Sequence, residues 1–455
     1  MARKLFGTDG IRGVAGQYPL DEPTAFAIGR ALGDRLRAAS QHKRVVIGQD
    51  TRESSRWIAD TVAMGLLNAG MEVKSAGVIT TPGVAFLVRT DAFGAGIVVS
   101  ASHNPWTDNG IKVFSADGFK LPDEVEHQIE AEIFQLLGDD TWSEAETVPL
   151  FRSLPGSTEL HQHYVRWLAE QAGGGLQGMR VLADCANGAA AAIAPDVFRA
   201  CGVQAKFLHQ APDGRNINHD CGALHPQTVA EAVAAEAGRY DLGVTFDGDA
   251  DRALFSDDAG RVVNGDAVLL LAGRDLQSRG ALNGSLVVAT TMSNMGLEIA
   301  LRRSGIRMLR APVGDKYVLE EMLKHGSTLG GEQSGHIIFR DGDATTGDGL
   351  LTALRVMQVM ARTGKPLADL VADLKVFPQT IKNVRVREKK PLMDIPAVAA
   401  AITTAEKELD GNGRVVVRYS GTEALARVMV EAEDEGRMQG LANAIAEAIQ
   451  RSLGA

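Results

Sequence analysis

Three times the chain passes from a short β-branched run through a polar loop into a helix-forming segment, and no other feature limits its fold so much. The runs are Val45-Val46-Ile47 before Gly48-Gln49-Asp50-Thr51-Arg52, Val181-Leu182-Ala183-Asp184 before Cys185-Ala186-Asn187-Gly188-Ala189, and Leu286-Val287-Val288-Ala289-Thr290 before Thr291-Met292-Ser293-Asn294. Apolar runs this short, bounded by turn formers, read as buried strands. Their alternation with helices predicts a mostly parallel sheet under helices, and a period of about a hundred residues suits one domain per unit. In the first unit a helix is expected over about Pro23 to Ala39, and a second is expected to run to about Asn68 and stop at Gly70. The last ninety or so residues break the rhythm as strand, helix, strand, loop, strand and helix, which reads as a smaller α+β domain.

Composition narrows the class. At 455 residues, 45% hydrophobic and 23% charged, the chain has the balance of a soluble globular protein. A net charge of −10 with no basic run makes nucleic acid and anionic membrane poor partners. Met1 to Gly7 lacks an apolar signal core, and no stretch is long enough to span a bilayer. The three cysteines, Cys185, Cys201 and Cys221, match no zinc spacing. They point to a reducing cytoplasm, with the thiols as small buried apolar residues.

The apolar run Ala95-Gly96-Ile97-Val98-Val99 ends in Ser100-Ala101-Ser102-His103-Asn104-Pro105, with Gly110 and Lys112 just behind. Loops at the carboxyl ends of strands in open α/β sheets are where ligands bind, and Asn104-Pro105 turns the chain sharply. Ser102 is therefore a candidate nucleophile or phosphate acceptor, or else it closes a local side-chain turn. His103 is not expected to pair with it, because adjacent side chains rarely converge. Leu242-Gly243-Val244-Thr245-Phe246 ends in Asp247-Gly248-Asp249-Ala250-Asp251-Arg252. Three carboxylates at alternate positions project to one side of a near-extended backbone, and their mutual repulsion calls for a cation or a protonated member. A divalent metal is the simpler answer, and Mg²⁺ suits a few carboxylates supplemented by phosphate oxygen. An EF-hand would need glycine at Arg252 and a preceding helix; a solvated acidic turn is the plain alternative.

Three more loops carry polar groups between glycines or at strand ends. Gly7-Thr8-Asp9-Gly10-Ile11-Arg12-Gly13 suggests backbone that approaches a ligand closely, or a surface turn. Gly330-Gly331-Glu332-Gln333-Ser334-Gly335-His336 has a composition suited to sugar hydroxyls, and it also reads as a hairpin turn. Arg418-Tyr419-Ser420-Gly421-Thr422-Glu423 offers a guanidinium, hydroxyls and backbone N–H groups suited to a phosphate dianion, or forms a polar turn.

Together the serine, acidic, glycine-bounded and arginine loops resemble those of the α-D-phosphohexomutase family over the whole chain, in the family's order. The resemblance implies an α/β protein: three similar α/β domains with mixed sheets covered by helices, plus a smaller α+β C-terminal domain, around a central cleft. Residues 1–153 would carry the phosphoserine loop, 154–257 the metal loop, 258–366 the sugar loop and 367–455 the phosphate loop. It implies an intramolecular phosphotransferase of the isomerase class, with Ser102 phosphorylated and its phosphate joining Asp247, Asp249 and Asp251 around Mg²⁺. Arg12 and Lys112 would help with charge and proton transfer. Arg252, Glu332, Ser334, Arg418, Ser420, Gly421, Thr422 and Arg427 would contact substrate. Within the family, Gln333 between Glu332 and Ser334 points to hexosamine phosphates, an acid and an amide being able to meet an ammonium group at C2. Ala424 stands where many relatives have proline, and the donor groups before it are retained. Relatives acting on glucose or mannose phosphates, and a serine- and metal-dependent sugar phosphatase, are the competing readings; a homo-oligomer is left open.

Overall fold

The computed structural model describes residues 5–7, 9–39, 42–138, 154–340, 344–420 and 424–454. They form two compact units, Met1–Met292 with Leu309–Val371, and Ser293–Met308 with Ala372–Ala455. The first unit holds a six-stranded, a five-stranded and a four-stranded sheet built on one plan. In the six-stranded sheet Arg44–Gln49 lies between Glu72–Val78 and Ala95–Val99, all parallel, and Asp108–Ser115 returns antiparallel to Ala95–Val99. In the five-stranded sheet Arg180–Asp184 lies between Gln204–Leu208 and Leu242–Phe246, and Ala253–Ser256 returns. In the four-stranded sheet Leu286–Thr290 lies between Arg307–Ala311 and Leu329–Gly331, and Ile337–Phe339 returns. The three strands read from the sequence thus hold equivalent places.

Ala95–Val99, Leu242–Phe246 and Leu286–Thr290 are buried along their whole lengths, which is why they carry continuous rather than alternating apolar sequence. Helices Glu22–Ala39 and Glu53–Asn68 pack with their backbones nearly touching. A Cβ on Gly29 would lie 2.1 Å from Val62 O, and one on Gly65 2.2 Å from Phe26 O. Close packing is what two helix-interior glycines, weak helix formers, provide.

Two sets of contacts bear on how the chain divides. Val262–Val263 pairs with Phe255 and Ser256, so the second sheet continues past residue 257. The turn at Asp257–Gly260, closed by the Gly260 N–H on Asp257 O at 3.0 Å, lies inside that hairpin. Helix Met295–Arg303 packs with the C-terminal unit, because Met295 and Ile299 cluster with Phe377, and the Met295 N–H donates to buried Glu431 Oε1 at 2.9 Å.

The C-terminal unit is an antiparallel sheet with Leu425–Ala432 between Gln379–Arg385 and Gly413–Tyr419. Helices Pro396–Leu409 and Glu435–Leu453 supply the rest of its core, in which Val398, Ile402, Ile445 and Ile449 meet Val428 and Val430. Among the described residues no helix is long and apolar enough to cross a membrane. Cys185 and Cys221 are buried free thiols, as expected, whereas Cys201 is half-exposed.

Candidate active site

Ser102 follows the buried strand Ala95–Val99 and is itself 2% exposed, in left-handed backbone at φ 54°. Its N–H donates to Ser100 Oγ at 3.0 Å. Its carbonyl accepts from Arg52 at 3.0 Å and from Asn218 Nδ2 at 2.9 Å. Its hydroxyl donates to Asp247 Oδ2 at 2.6 Å, so the serine and acidic loops meet face to face. His103 Nδ1 also lies 3.3 Å from Ser102 Oγ, against the expectation for adjacent side chains. The left-handed turn at Ser102 is what swings the two side chains together. Burial, with Arg252 and Arg12 nearby, lowers the His103 pKa and so favours its neutral imidazole.

The acidic loop is not extended. It joins the antiparallel strands Leu242–Phe246 and Ala253–Ser256, bends at Ala250 with φ 55°, and brings its carboxylates together by turning. Asp247, Asp249 and Asp251 are buried, with one oxygen of each within 4.8 Å of the others. Gly248 admits the serine loop, since a Cβ there would lie 2.4 Å from Ser102 O. Asp249 Oδ1 and Asp251 Oδ1 are buried without a hydrogen-bond partner. Burial, then repulsion from Asp251 and Asp249, pushes the Asp247 pKa well up. Burial also resists the charge on Asp251, but Lys112, His336 and Arg252 outweigh it and hold Asp251 far below the usual carboxylate range. Orphaned carboxylate oxygens beside a carboxyl that resists ionisation fit a divalent cation, which would satisfy both conditions.

Lys112 closes the site from behind, its Nζ 2.9 Å from Asp249, 3.0 Å from Asp9 and 3.7 Å from Asp251. Burial disfavours its ammonium, yet those carboxylates outweigh burial and raise its pKa well above the ordinary lysine value. Asp9 also pairs with Arg12 and, at 2.6 Å, with Lys120, which reaches Asp315 at 2.6 Å. His336 sits between Asp251 at 3.6 Å and Asp315 at 3.7 Å. Burial lowers its pKa, the two carboxylates raise it to about 8, and the Gly347 N–H donating to Nε2 at 2.9 Å opposes the charged form. Beside this network lies a cavity of about 380 Å³, lined among others by Arg12, His103, Asp251, Arg252, Asp315 and Glu332.

Glu332 reaches the cavity and accepts the Gly314 N–H at 3.0 Å; the strands Leu329–Gly331 and Ile337–Phe339 make its loop a hairpin. Ser334 is half-buried in the same loop. Gln333 differs from expectation: its amide nitrogen donates to Asp266 at 3.2 Å, and it is not among the cavity's lining residues. Gln333 lies in the turn between the two strands, and the turn carries its side chain toward Asp266.

In the C-terminal unit Arg418 and Arg427 stand directly opposite on antiparallel strands. They share the face away from the helices, because Val417 and Val428, one step along, pack into the core. Like charges in such a pair repel, and a bound anion relieves the repulsion. Ser420 is buried, and its carbonyl accepts from Lys389 Nζ at 2.6 Å. Gly421 and Thr422 lie outside the described residues.

Nothing in the sequence marks Lys120 or Asp315. Asp9, Asp50 and Arg52 stand in polar loops, and their position at strand ends is the available signal. A second group of donors, Asp184, His209 and Cys221, is accounted for without a ligand. The Asp184 carboxylate accepts from the Ala186 N–H at 2.8 Å, the Gly222 N–H at 3.0 Å and His209 Nδ1 at 3.0 Å.

Comparison with known proteins covers the chain from end to end. The sequence families described as phosphoglucomutase/phosphomannomutase, alpha/beta/alpha domains I, II and III, match residues 3–137, 162–260 and 264–377. The phosphoglucomutase/phosphomannomutase C-terminal domain matches residues 381–448. A protein named phosphoglucosamine mutase from Koribacter versatilis is 64% identical over 454 residues, 99% of this chain and 98% of that one. A phosphoglucomutase/phosphomannomutase family protein from Burkholderia thailandensis has the same fold, with a TM-score of 0.76 at 24% identity over 98% of this chain and 97% of that one. N-acetylphosphoglucosamine mutase from Aspergillus fumigatus, solved with GlcNAc-6P and magnesium, gives a TM-score of 0.61 at 18% identity over 98% and 96%.

Proposed function

The chain belongs to the phosphoglucomutase/phosphomannomutase family, and from that membership we infer that it interconverts glucosamine 6-phosphate and glucosamine 1-phosphate. It is an isomerase in outcome and a phosphotransferase in chemistry. The observation that carries the reading is Ser102 Oγ on Asp247 at 2.6 Å, with the orphaned oxygens of Asp249 and Asp251 alongside.

In this reading Ser102 carries a phosphate. The O1 hydroxyl of glucosamine 6-phosphate attacks phosphorus, the bond to Ser102 Oγ breaks, and the hydroxyl proton passes in effect from sugar to serine. The 1,6-bisphosphate then turns over, and Ser102 Oγ takes the group from O6, leaving glucosamine 1-phosphate. Asp247, Asp249 and Asp251 would hold Mg²⁺, which when bound would draw charge from the transferring group. Lys112, raised well above the ordinary lysine pKa, remains an ammonium and stabilises charge instead of accepting a proton. His103, beside Ser102 Oγ and with its pKa lowered, is placed to take or return the hydroxyl proton. Arg12, Arg252, Glu332 and Ser334 would meet the sugar and its near phosphate. Glu332, the acid of the sugar loop that reaches the cavity, suits the C2 ammonium. Arg418, Ser420 and Arg427, with Gly421 and Thr422, would grip the phosphate that is not reacting.

Four domains follow the same division as the loops, with the second extended through Val263. The product would feed nucleotide-sugar synthesis, and three free thiols suit the cytoplasm. Intact mass before and after phosphatase treatment, with a panel of hexose phosphates, tests the reading. Ser102→Ala should lose the phosphate and nearly all turnover while remaining folded, since the hydroxyl packs no apolar core. Equal kcat/KM on glucose 6-phosphate would move the assignment to a sister activity, and release of free phosphate would make it a phosphatase.

A further inference from the structure

We propose that Arg52 is a positioning residue that holds Ser102 in the backbone conformation from which its hydroxyl gives and takes the phosphoryl group; this rests on the phosphoserine reading above. A left-handed backbone is unfavourable for a residue with a side chain, so neighbouring groups must hold Ser102 there. Arg52 does so with every donor it has. Its Nε–H donates to Asp50 Oδ2 at 2.8 Å, one terminal nitrogen donates to the carbonyls of Pro105 and, at 3.1 Å, Asp108, and the other donates to those of Ser102 at 3.0 Å and Asn104 at 2.9 Å. Those five bonds use all the N–H groups of a guanidinium. The Arg52 and Asp50 side chains are both 0% exposed, so no water stands in for a missing partner.

Asp50 secures Ser102 at its N–H, in the preceding peptide, through Ser100. Its Oδ2 accepts from Ser100 Oγ at 2.6 Å, and Ser100 Oγ accepts the Ser102 N–H at 3.0 Å. Asn218, from the second sheet's side of the site, adds a second donor to the Ser102 carbonyl at 2.9 Å. Ser102 is therefore held at N–H and carbonyl by groups that touch no reacting atom. A lysine would keep the charge beside Asp50, but its single nitrogen cannot span the carbonyls of residues 102, 104, 105 and 108.

The test uses the phosphorylated full-length enzyme. Single-turnover transfer from Ser102 to glucosamine 6-phosphate is measured for the parent, Arg52→Lys, Arg52→Ala and Asn218→Ala, with kcat and KM beside it. Arg52→Lys should slow transfer by about 100-fold, the scale of a misplaced reacting group, with KM for the sugar phosphate changed by less than about threefold. Dilute guanidinium should restore at least about tenfold of the loss in Arg52→Ala and leave the parent unchanged, which a general loss of stability would not produce. Should neither Arg52 variant fold, Asn218→Ala, which leaves Asp50 untouched, must slow the same step by about tenfold without moving KM. A folded Arg52→Lys or Asn218→Ala that transfers at the parent rate overturns the proposal alone. A parent that never carries phosphate on Ser102 overturns the phosphoserine reading and takes this proposal with it.

Discussion

Asp249 and Asp251 each keep one buried oxygen without a hydrogen-bond partner, while Asp247 has one oxygen engaged by Ser102. Such oxygens are unfavourable unless a cation meets them, so metal should stabilise the fold as well as support turnover. Added Mg²⁺ should raise the melting temperature of the parent, and chelation should lower kcat at least about a hundredfold. Asp249→Asn should lose most of the Mg²⁺-dependent rise in melting temperature; an unchanged rise would remove Asp249 from the site. At this scale the chemistry was legible where residue types cluster in sequence, as in Asp247-Gly248-Asp249-Ala250-Asp251. It was not legible for Asp9, Lys120 and Asp315, which lie far apart in the chain and converge only through ion pairs.

At the scale of elements, all four candidate loops connect strands that pair antiparallel. Residues 100–107 join Ala95–Val99 to Asp108–Ser115, 247–252 join Leu242–Phe246 to Ala253–Ser256, 332–336 join Leu329–Gly331 to Ile337–Phe339, and 420–424 join Gly413–Tyr419 to Leu425–Ala432. In the first three the leading strand also pairs with a parallel neighbour, so each loop projects from one rigid sheet. The acidic and serine loops touch through backbone at Gly248, where a Cβ would sit 2.4 Å from Ser102 O. Gly248→Ala should therefore lower kcat by about a hundredfold with little change in KM. Gly440→Ala, on a helix with nothing within 4 Å of the added carbon, should leave activity unchanged and stabilise slightly. Parent-like turnover in the Gly248 variant would contradict the close approach. The hairpins themselves were seen as possible turns in the sequence, but their strands are short, and three residues of Leu329–Gly331 carry almost no pattern.

On the scale of the whole molecule, each unit has its own long-range arrangement. Within the first unit, the Tyr164 hydroxyl donates to Asp348 Oδ2 at 2.6 Å and accepts from Thr80 Oγ1 at 3.3 Å, tying helix Thr158–Ala172 to the starts of helices Thr81–Thr90 and Gly349–Thr363. Burial raises the Asp348 pKa to about 6, against the pull of Tyr164 and the N–H groups it caps. A raised carboxyl keeps its proton in the fold after the unfolded chain has lost it, so this group's contribution to stability falls from about pH 4 to pH 6 and stays low above. Asp348→Asn keeps the cap and cannot ionise. Its melting temperature relative to the parent should rise across that window and then level off, and a difference that ignores pH would refute the assignment. In the C-terminal unit Arg418 is exposed and opposite Arg427. Arg418→Ala removes a charge-assisted contact worth about 1.5–3 kcal/mol, so affinity for both sugar phosphates should fall about ten- to a hundredfold. The bisphosphate should also escape more often, leaving Ser102 unphosphorylated, and added hexose bisphosphate should restore turnover. Failure of that rescue would count against an intermediate that turns over on the enzyme.

The sequence by itself determined the three repeated strand–loop–helix units, the α+β character of the last segment and the functional groups that each loop carries. These follow from short-range facts: apolar run length, turn formers, and which functional groups share a loop. Tertiary structure alone decided which loops face one another, because pairing Ser102 with Asp247 needs two sheets brought together over 145 residues of separation. It also decided that His103 swings beside Ser102 and that Gln333 turns to Asp266, since both depend on backbone dihedrals that residue types do not specify. The buried guanidinium of Arg52 belongs to the same class. In sequence it is one arginine in a polar loop, and only the folded chain collects the four carbonyls and the carboxylate that its donors require.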